Sequence, residues 1–435
     1  LRSRLLRSIE RVNLGLQIKI RPFQRTRRQV LIDRLAWDRQ VLDAIEAQAT
    51  AEHVPRDVLQ SRVHAYASEI VPAFNVFIYF RIGYWIARWF SRFVYRVHVA
   101  AIDFDKLQNV DPEASVVFVM NHRSNMDYLL VTYLAARQVS ISYAVGEWAN
   151  FFPLRPLIKA LGGFFVRRNS DDALYRKVLE RYVHMATREG VCQAVYLESG
   201  LTRDGSLGEP RLGFLDYMLR DYHAERDRDI VFVPVAINYD HVPEDDRMLG
   251  WDGDGARPGA WLTLRRAVRL LRVNSIGKSR ERLEAYGHAG VNFGEPISAK
   301  AWIEAGRVPF WTLGKEARFV QVRALADHLM DAVAHVMPIL PVPLISYVFE
   351  NVEGDELASS DIVRRVSDRI DRIIAGGGAM KSDERPKLGT LANALRIMVN
   401  RGMLDRRDGG YTLIDHPLRR KLCRYYANSI ARTVR

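Results

Sequence analysis

The sequence predicts an α/β fold: a mostly parallel sheet flanked by helices, with helical regions before and after it. Short runs rich in β-branched and aromatic residues begin at residue 97, and helical stretches separate most of them. The last run, Ile230–Ile237, is almost continuously apolar, as expected of a strand buried on both faces. Outside residues 97–310 the apolar spacing is helical. Three regions are therefore expected: 1–96, helical, basic and amphipathic; 97–310, the α/β domain; and 311–435, helical again.

Residues 36–70 read as helix of mixed charge, broken near Pro55. From Ile70 to Val97 the chain is dense in aromatics, among them Phe74, Phe77, Trp85, Trp89 and Phe93. Its arginines, Arg81, Arg88, Arg92 and Arg96, fall within one stripe of about 80° on a helix. The rest of the circumference is almost wholly apolar. That suits a helix lying in a membrane interface with its arginines towards the headgroups. A core helix with a narrow exposed edge is the plainer alternative. Strands follow at Val97–Phe104, Val116–Met120, Ile141–Val145, Ala194–Leu197 and Ile230–Ile237, with helices over Asp127–Arg137 and Asp171–Glu189. Further helices are expected over Gly314–Val336, Ser359–Ala375, Leu388–Met403 and Pro417–Val434. Gly376–Gly378 and Lys381–Pro386 mark an exposed loop between two of them.

A chain of 435 residues has room for two or three domains. With 48% apolar and 26% charged residues, it is not a disordered chain. Two cysteines, Cys192 and Cys423, exclude a disulfide scaffold and a cysteine-only zinc site, and fit a reducing compartment. The net charge of +13 points to an anionic partner. Residues 1–34 hold ten basic residues against Glu10 and Asp33, so +8 of the surplus lies there. Apolar residues interleave those cations, which suits contact with an anionic membrane surface better than a freely solvated arm. No stretch reaches the roughly 20 apolar residues of a membrane span. The uncharged stretch between Asp331 and Glu350 contains Pro338, Pro341 and Pro343, which should interrupt any helix there. Peripheral attachment is the expectation.

Chemistry concentrates at Val116-Val-Phe-Val-Met-Asn-His122-Arg-Ser-Asn-Met-Asp127. A buried strand ends at Met120 and a helix begins near Asn125. On one continuous helix His122 and Asp127 would stand about 140° apart and could not meet. With His122 in the turn and Asp127 in the first helical turn, the carboxylate can hold one imidazole nitrogen and leave the other as a base. Such a base can take the proton of a hydroxyl that attacks an acyl group. A triad through Ser124 is the alternative.

Three more blocks follow in order: Gly162-Gly-Phe-Phe-Val-Arg167-Arg168, then Tyr196-Leu-Glu198-Ser-Gly200-Leu-Thr-Arg203, then Val233-Pro234-Val-Ala-Ile-Asn-Tyr239-Asp240. Together the four blocks resemble the glycerol-3-phosphate acyltransferase family, within the glycerolipid acyltransferases that share a His-x4-Asp motif. The likeness is to the membrane-associated bacterial type, covers roughly residues 70–435, and extends to Ala144–Pro153 and Tyr425–Ala431. The resemblance implies that His122 is the general base and Asp127 its orienting carboxylate. It implies that Arg167 and Arg168 lie at the acceptor phosphate, a task suited to the bidentate guanidinium fork. Glu198, Gly200 and Arg203 match the block associated with acceptor binding, and Pro234 the block linked to the acyl donor. For Glu198 a structural role, tying down its own loop, stands beside that reading; for Pro234 the alternative is a strand-edge proline. Ser199 replaces a glycine of the family pattern, and Leu201 replaces the first of two arginines expected near phosphate. Arg211 and Lys177 are the candidates to compensate.

The reaction so implied moves a fatty acyl chain from acyl-CoA or acyl-ACP to the sn-1 hydroxyl of glycerol-3-phosphate. The product is lysophosphatidate, at the first step of phospholipid synthesis. No cofactor beyond that co-substrate, no metal and no covalent serine intermediate is expected. The implied partners are an anionic membrane surface, glycerol-3-phosphate and acyl-CoA or acyl carrier protein, with no nucleic acid. The implied place is the cytoplasmic face of the inner membrane. Leu201 raises lysophosphatidate or dihydroxyacetone phosphate as alternative acceptors, and a non-catalytic membrane-binding protein is the reading from another class.

Overall fold

The structure is a computed structural model. It describes residues 28–75, 78, 95–101, 106–107, 109–128, 130, 141–146, 154–167, 170–198, 200–250, 286–305, 308–376 and 385–434. Helices α1 (Arg28–Ala36), α2 (Arg39–Glu52) and α3 (Arg56–Ile70) open the described chain. Asp38 caps α2 by accepting from the Gln40 amide, and the break before α3 falls at Pro55. These helices bury Ile32, Leu35, Val41, Ile45, Leu59 and Val63. Of the arginine stripe, Arg81, Arg88 and Arg92 lie outside the described residues. Arg96 opens a strand instead of continuing a helix.

The strands are β1 (Arg96–Ala101), β2 (Ser115–Met120), β3 (Ser142–Gly146), β4 (Gly163–Val166), β5 (Gln193–Tyr196), β6 (Ile230–Tyr239), β7 (His288–Phe293) and β8 (Ile297–Ser298). They form one sheet in the order β1-β7-β6-β2-β5-β3-β4, with β8 also on β6. Every pairing is parallel except β6–β7 and β6–β8. All ten residues of β6 are buried, as its apolar run requires. The interleaved helices are α4 (Leu154–Ala160), α5 (Ala173–Arg188, capped by Asp172), α6 (Gly213–Leu219), α7 (Asp245–Met248) and α8 (Ala299–Glu304). After them α9 (Lys315–His335) packs on β6 and β2, so the helical layer over the sheet continues beyond residue 310. β7 departs from the strand list because His288-Ala-Gly-Val-Asn-Phe has neither alternation nor an apolar run. Its Gly290 lies under Pro338, where an added Cβ would come within 2.5 Å of the proline ring.

The C-terminal region is not wholly helical. Helix α10 (Pro341–Glu350), strand β9 (Glu356–Ala358), helices α11 (Ser359–Ala375) and α12 (Leu388–Asn400), and the hairpin β10 (Leu404–Arg407)–β11 (Gly410–Leu413) precede α13 (Pro417–Asn428). The strands pair antiparallel in the order β10-β11-β9, the arrangement of a winged helix. The hairpin turns on Asp408-Gly409, with Gly409 at φ 84°. The prolines interrupt the helix between Asp331 and Glu350 as expected: α9 ends at His335 and α10 starts at Pro341. Pro341 and Pro343 occupy the first turn of α10, where a missing N–H costs nothing. Among the described residues no helix is long and apolar enough to cross a membrane.

A buried ion pair ties this region to the sheet. Arg401, just past α12, reaches both oxygens of Asp245 at 2.6 and 2.7 Å, and the Tyr426 hydroxyl donates to the same carboxylate. Burial pushes the Asp245 carboxyl up, but Arg401 and these bonds outweigh it and leave its pKa below the ordinary value. Arg401→Met should therefore cost about 3–5 kcal/mol at neutral pH by leaving an unpaired buried charge. Sign fixes the pH dependence. The wild-type contribution is present above the unfolded carboxylate pKa and lost as pH falls through the depressed folded one, whereas the variant gains when Asp245 is protonated. Denaturant unfolding should show the deficit narrowing towards acid pH; a deficit constant with pH would exclude this role.

Candidate active site

Parallel strands gather polar side chains at their C-terminal ends, and the site lies there. Asn121 follows β2 directly and continues the ladder with its side chain. Its Nδ2 donates to the Ile237 carbonyl at 2.9 Å, and its Oδ1 accepts from the Ile237 amide at 2.7 Å. The chain then turns. In that turn Asp127 Oδ2 accepts from the amides of Arg123 at 2.8 Å and Ser124 at 3.0 Å, and stands 3.0 Å from His122 Nδ1. Asp127 Oδ1 accepts from the Tyr239 hydroxyl at 2.6 Å. Asp127 is fully buried and His122 is 3% exposed. With Nδ1–H directed at the carboxylate, the imidazole presents Nε2 as a lone pair. Tyr196 lies 4.3 Å from the imidazole, ring centre to ring centre, and Tyr128 meets it edge-on at 5.6 Å.

Ser124 does not complete a triad. Its hydroxyl donates to Glu244 Oε2 at 2.7 Å, while Glu244 Oε1 accepts from the Asn125 amide and side chain at 3.2 and 3.1 Å. Burial raises the Glu244 pKa, although Ser124 and Asn125 pull it down. Arg123 is a buried cation, 3% exposed. It donates to the Gly205 carbonyl at 2.6 Å and to Asn238 Oδ1 at 3.3 Å, and lies 5.4 Å over the Tyr425 ring. Gly205, at φ 87°, packs so closely on α13 that a Cβ would fall 1.8 Å from the Tyr425 carbonyl oxygen. Asn428 Nδ2 donates to the Asp204 carbonyl, and Ser429 Oγ stands 3.2 Å from Asn238 Nδ2.

The remaining expected residues divide by what already holds them. Glu198 spends one oxygen on the His122 amide and the other on the Gly208 amide, both at 2.6 Å. The carboxylate therefore ties its own loop to the turn that carries His122. Burial raises its pKa, against the pull of those two amides. The next link is the Thr202 amide, which donates to the His122 carbonyl at 3.3 Å. Gly200 and Leu201 are half-buried in this loop, and Arg203 is exposed without a side-chain partner among the described residues. Arg167 is drawn elsewhere: its guanidinium bridges both oxygens of Glu69 on α3 at 3.1 and 2.6 Å, between the rings of Tyr66 and Tyr175. Arg168 lies outside the described residues. Lys177 is held by Glu180 at 2.8 Å. Arg211 is exposed, and its amide donates to the Leu197 carbonyl at 2.7 Å.

Pro234 is not at a strand edge. It is buried in the middle of β6, where no partner on that flank needs its missing N–H. β8 pairs with Val231 and Phe232, β7 pairs from Val235 onward, and Pro234 falls in the gap. Its carbonyl accepts from the Gly294 amide, in the turn between those two strands, at 2.8 Å.

Two family models match the chain. Residues 101–238 match the acyltransferase family model, and residues 273–433 match that of the glycerol-3-phosphate acyltransferase C-terminal region. The chain belongs to the glycerol-3-phosphate acyltransferase family. A glycerol-3-phosphate acyltransferase of Aeromonas hydrophila is 30% identical over 316 residues, 70% of this chain and 37% of its own. One of Pseudomonas aeruginosa is 29% identical over 338 residues, 74% and 38% of the respective chains. This family member thus spans under two fifths of the length of those relatives. A solved 1-acyl-sn-glycerophosphate acyltransferase of Thermotoga maritima aligns with 70% of this chain and 98% of its own, at 14% identity and a TM-score of 0.32.

Asn121, Arg123, Tyr239 and Glu244 were not singled out from sequence, although Tyr239 lies in the fourth block. A polar residue directly after a buried strand was the available signal for Asn121. The dyad makes a direct prediction for ¹⁵N NMR at mildly alkaline pH: His122 carries its proton on Nδ1 in the wild type, and Asp127→Asn converts it to a mixture of tautomers. An Nε2-protonated His122 in the wild type would contradict the arrangement.

Proposed function

We propose that this chain transfers a fatty acyl group to the sn-1 hydroxyl of glycerol-3-phosphate. The observation that carries the reading is the His122–Asp127 pair at the C-terminal edge of a parallel sheet, with Nε2 directed away from the carboxylate. His122 Nε2 takes the proton of the acceptor hydroxyl as its oxygen attacks the thioester carbonyl of acyl-CoA or acyl-ACP. The tetrahedral intermediate collapses by breaking the carbon–sulfur bond, and the proton passes from the imidazolium to the leaving thiolate. Asp127 holds the tautomer and stabilises the imidazolium. Arg203, with Arg211 near the base of the same loop, supplies the positive charge for the acceptor phosphate. Gly200 and Glu198 shape that loop, and Pro234 lies under the acyl-donor side. The step calls for no metal and no resident cofactor.

The chain works at an anionic membrane surface, on the cytoplasmic face of the inner membrane. Support comes from the +8 charge of residues 1–34 and from the lipid nature of the product. Nucleic acid is not among its partners. The exposed side of α12, which would face a groove, has Arg396 as its one cation, and that arginine is already engaged.

His122→Ala should lower kcat about 10²–10⁴-fold while the variant still folds. Radiolabelled glycerol-3-phosphate with an acyl-CoA, and chromatography of the product, measures it; turnover within threefold of wild type would exclude His122 as the base. Arg203→Ala should raise KM for glycerol-3-phosphate and spare kcat, because the phosphate is held alike in ground and transition states. Running the same assay with lysophosphatidate and dihydroxyacetone phosphate tests the acceptor. If either outperforms glycerol-3-phosphate in kcat/KM, Leu201 marks a changed specificity.

A further inference from the structure

A groove of about 220 Å³ lies between the end of α10 and the solvent side of α11, far in sequence from the catalytic turn. Four arginines line it, Arg364, Arg365, Arg369 and Arg372, against one acidic residue, Asp368. On α11, Arg365, Arg369 and Arg372 fall within one stripe of about 60° and span roughly two turns. The apolar side of the same helix, Ile362, Val366, Ile370 and Ile373, is buried, so the stripe is held at a fixed height above the core. Arg369 is positioned: it donates to the Val434 carbonyl at 3.2 Å and lies 4.9 Å over the Tyr347 ring. Arg364 pairs with Asp361 at 2.8 Å. Asp371, the other nearby acid, is taken by Arg385. Arg365 and Arg372 are exposed and have neither an acidic nor a hydrogen-bonding partner among the described residues.

We propose that this groove binds a phosphate monoester, between Arg365 and Arg372 with Arg369 as its fixed wall. Three guanidiniums on one stripe offer bidentate, charge-assisted bonds to a compact, doubly charged oxyanion. The volume lies below the roughly 300–1,000 Å³ of pockets for drug-sized ligands, so a headgroup fits and a whole nucleotide cofactor does not. Phosphate monoesters reach such a groove either on a lipid, as in phosphatidate, or free in solution. The site does not depend on the acyl-transfer reading.

The test uses the whole chain and the double variant Arg365→Glu/Arg372→Glu, whose side chains are exposed and outside the proposed catalytic machinery. One arm measures sedimentation with phosphatidylcholine vesicles with and without phosphatidate. The other follows the thermal shift on titration with inorganic phosphate. The double variant should lose phosphatidate-dependent binding at least about tenfold if the source is lipid, since each basic residue near such a surface adds about a factor of five. It should lose the phosphate-induced shift if the source is soluble. A variant that sediments and shifts as the wild type does, at unchanged melting temperature, overturns the proposal. Should the double variant melt early, Arg365→Gln and Arg372→Gln are compared singly, and wild-type behaviour of both overturns it equally.

Discussion

One carboxylate organises the turn after β2. Asp127 takes two backbone amides, the imidazole Nδ1–H and the Tyr239 hydroxyl on its two oxygens, inside a fully buried position. Four donors are close to the accepting capacity of an ionised carboxylate, and they compensate for the cost of burying its charge. The same bonds fix the backbone from His122 to Ser124, so the imidazole cannot swing without breaking the cap of the turn. Tyr239 is the remote member. It sits at the end of β6 and so couples that buried strand to the carboxylate that holds His122. Burial and the neighbouring Asp127 charge raise the Tyr239 pKa well above its ordinary value, which keeps the hydroxyl a donor at any working pH.

Around that centre the support comes from distant parts of the chain. Glu198 holds the amide of His122, Glu244 holds Ser124 and Asn125, and Arg123 spans from Gly205 to Asn238 beneath Tyr425. The Tyr425–Ala431 segment thereby acquires a physical task. Tyr425 abuts Gly205, Tyr426 reaches Asp245 and the Val242 amide, Asn428 holds the Asp204 carbonyl, and Ser429 meets Asn238. Helix α13 buttresses the loop that follows β5, and through it His122. Arg123 meets no carboxylate directly among these contacts, so loss of α13 would expose the turn and strand a buried charge together.

How much of this was legible depends on what each residue's task requires. β2, β5 and β6 showed themselves because strands buried on both faces must be apolar throughout, and α11 because its amphipathic spacing is strong. β7 and the β9–β11 sheet were missed: short strands built from His288, Gly290, Arg406 or Gly410 derive stability from neighbours that local pattern does not reveal. The Asp408-Gly409 hairpin signal was present and went unused. At the site, His122 and Asp127 stand five apart and could be paired by local geometry. Their supports could not, since Tyr239 and Glu244 lie more than a hundred residues away. Pro234 stands in a run that reads from sequence as a buried central strand, and the switch from β8 to β7 beside it is what accommodates its missing N–H.

Among the described residues some cations serve the fold. Arg28, Lys159 and Arg167 converge on the C-terminal end of α3, the first two donating to the Ser68 carbonyl and the third gripping Glu69. There they satisfy free carbonyls and oppose the negative end of the helix dipole. Burial and the neighbouring arginines bring the Lys159 pKa down to about 8. Arg181 and Arg401 are likewise committed to aspartates. A guanidinium so engaged contributes to net charge while already paired, as Arg167 is with Glu69. Several exposed cations of the described residues have no partner, Arg39, Arg406, Arg407 and Lys421 among them; of these unpartnered cations, Arg203 and Arg211 lie beside the loop after β5, and Arg365 and Arg372 in the groove on α11. Phosphate-bearing ligands respond to uncommitted guanidiniums, and these two places set such guanidiniums beside the loop after β5 and in a groove.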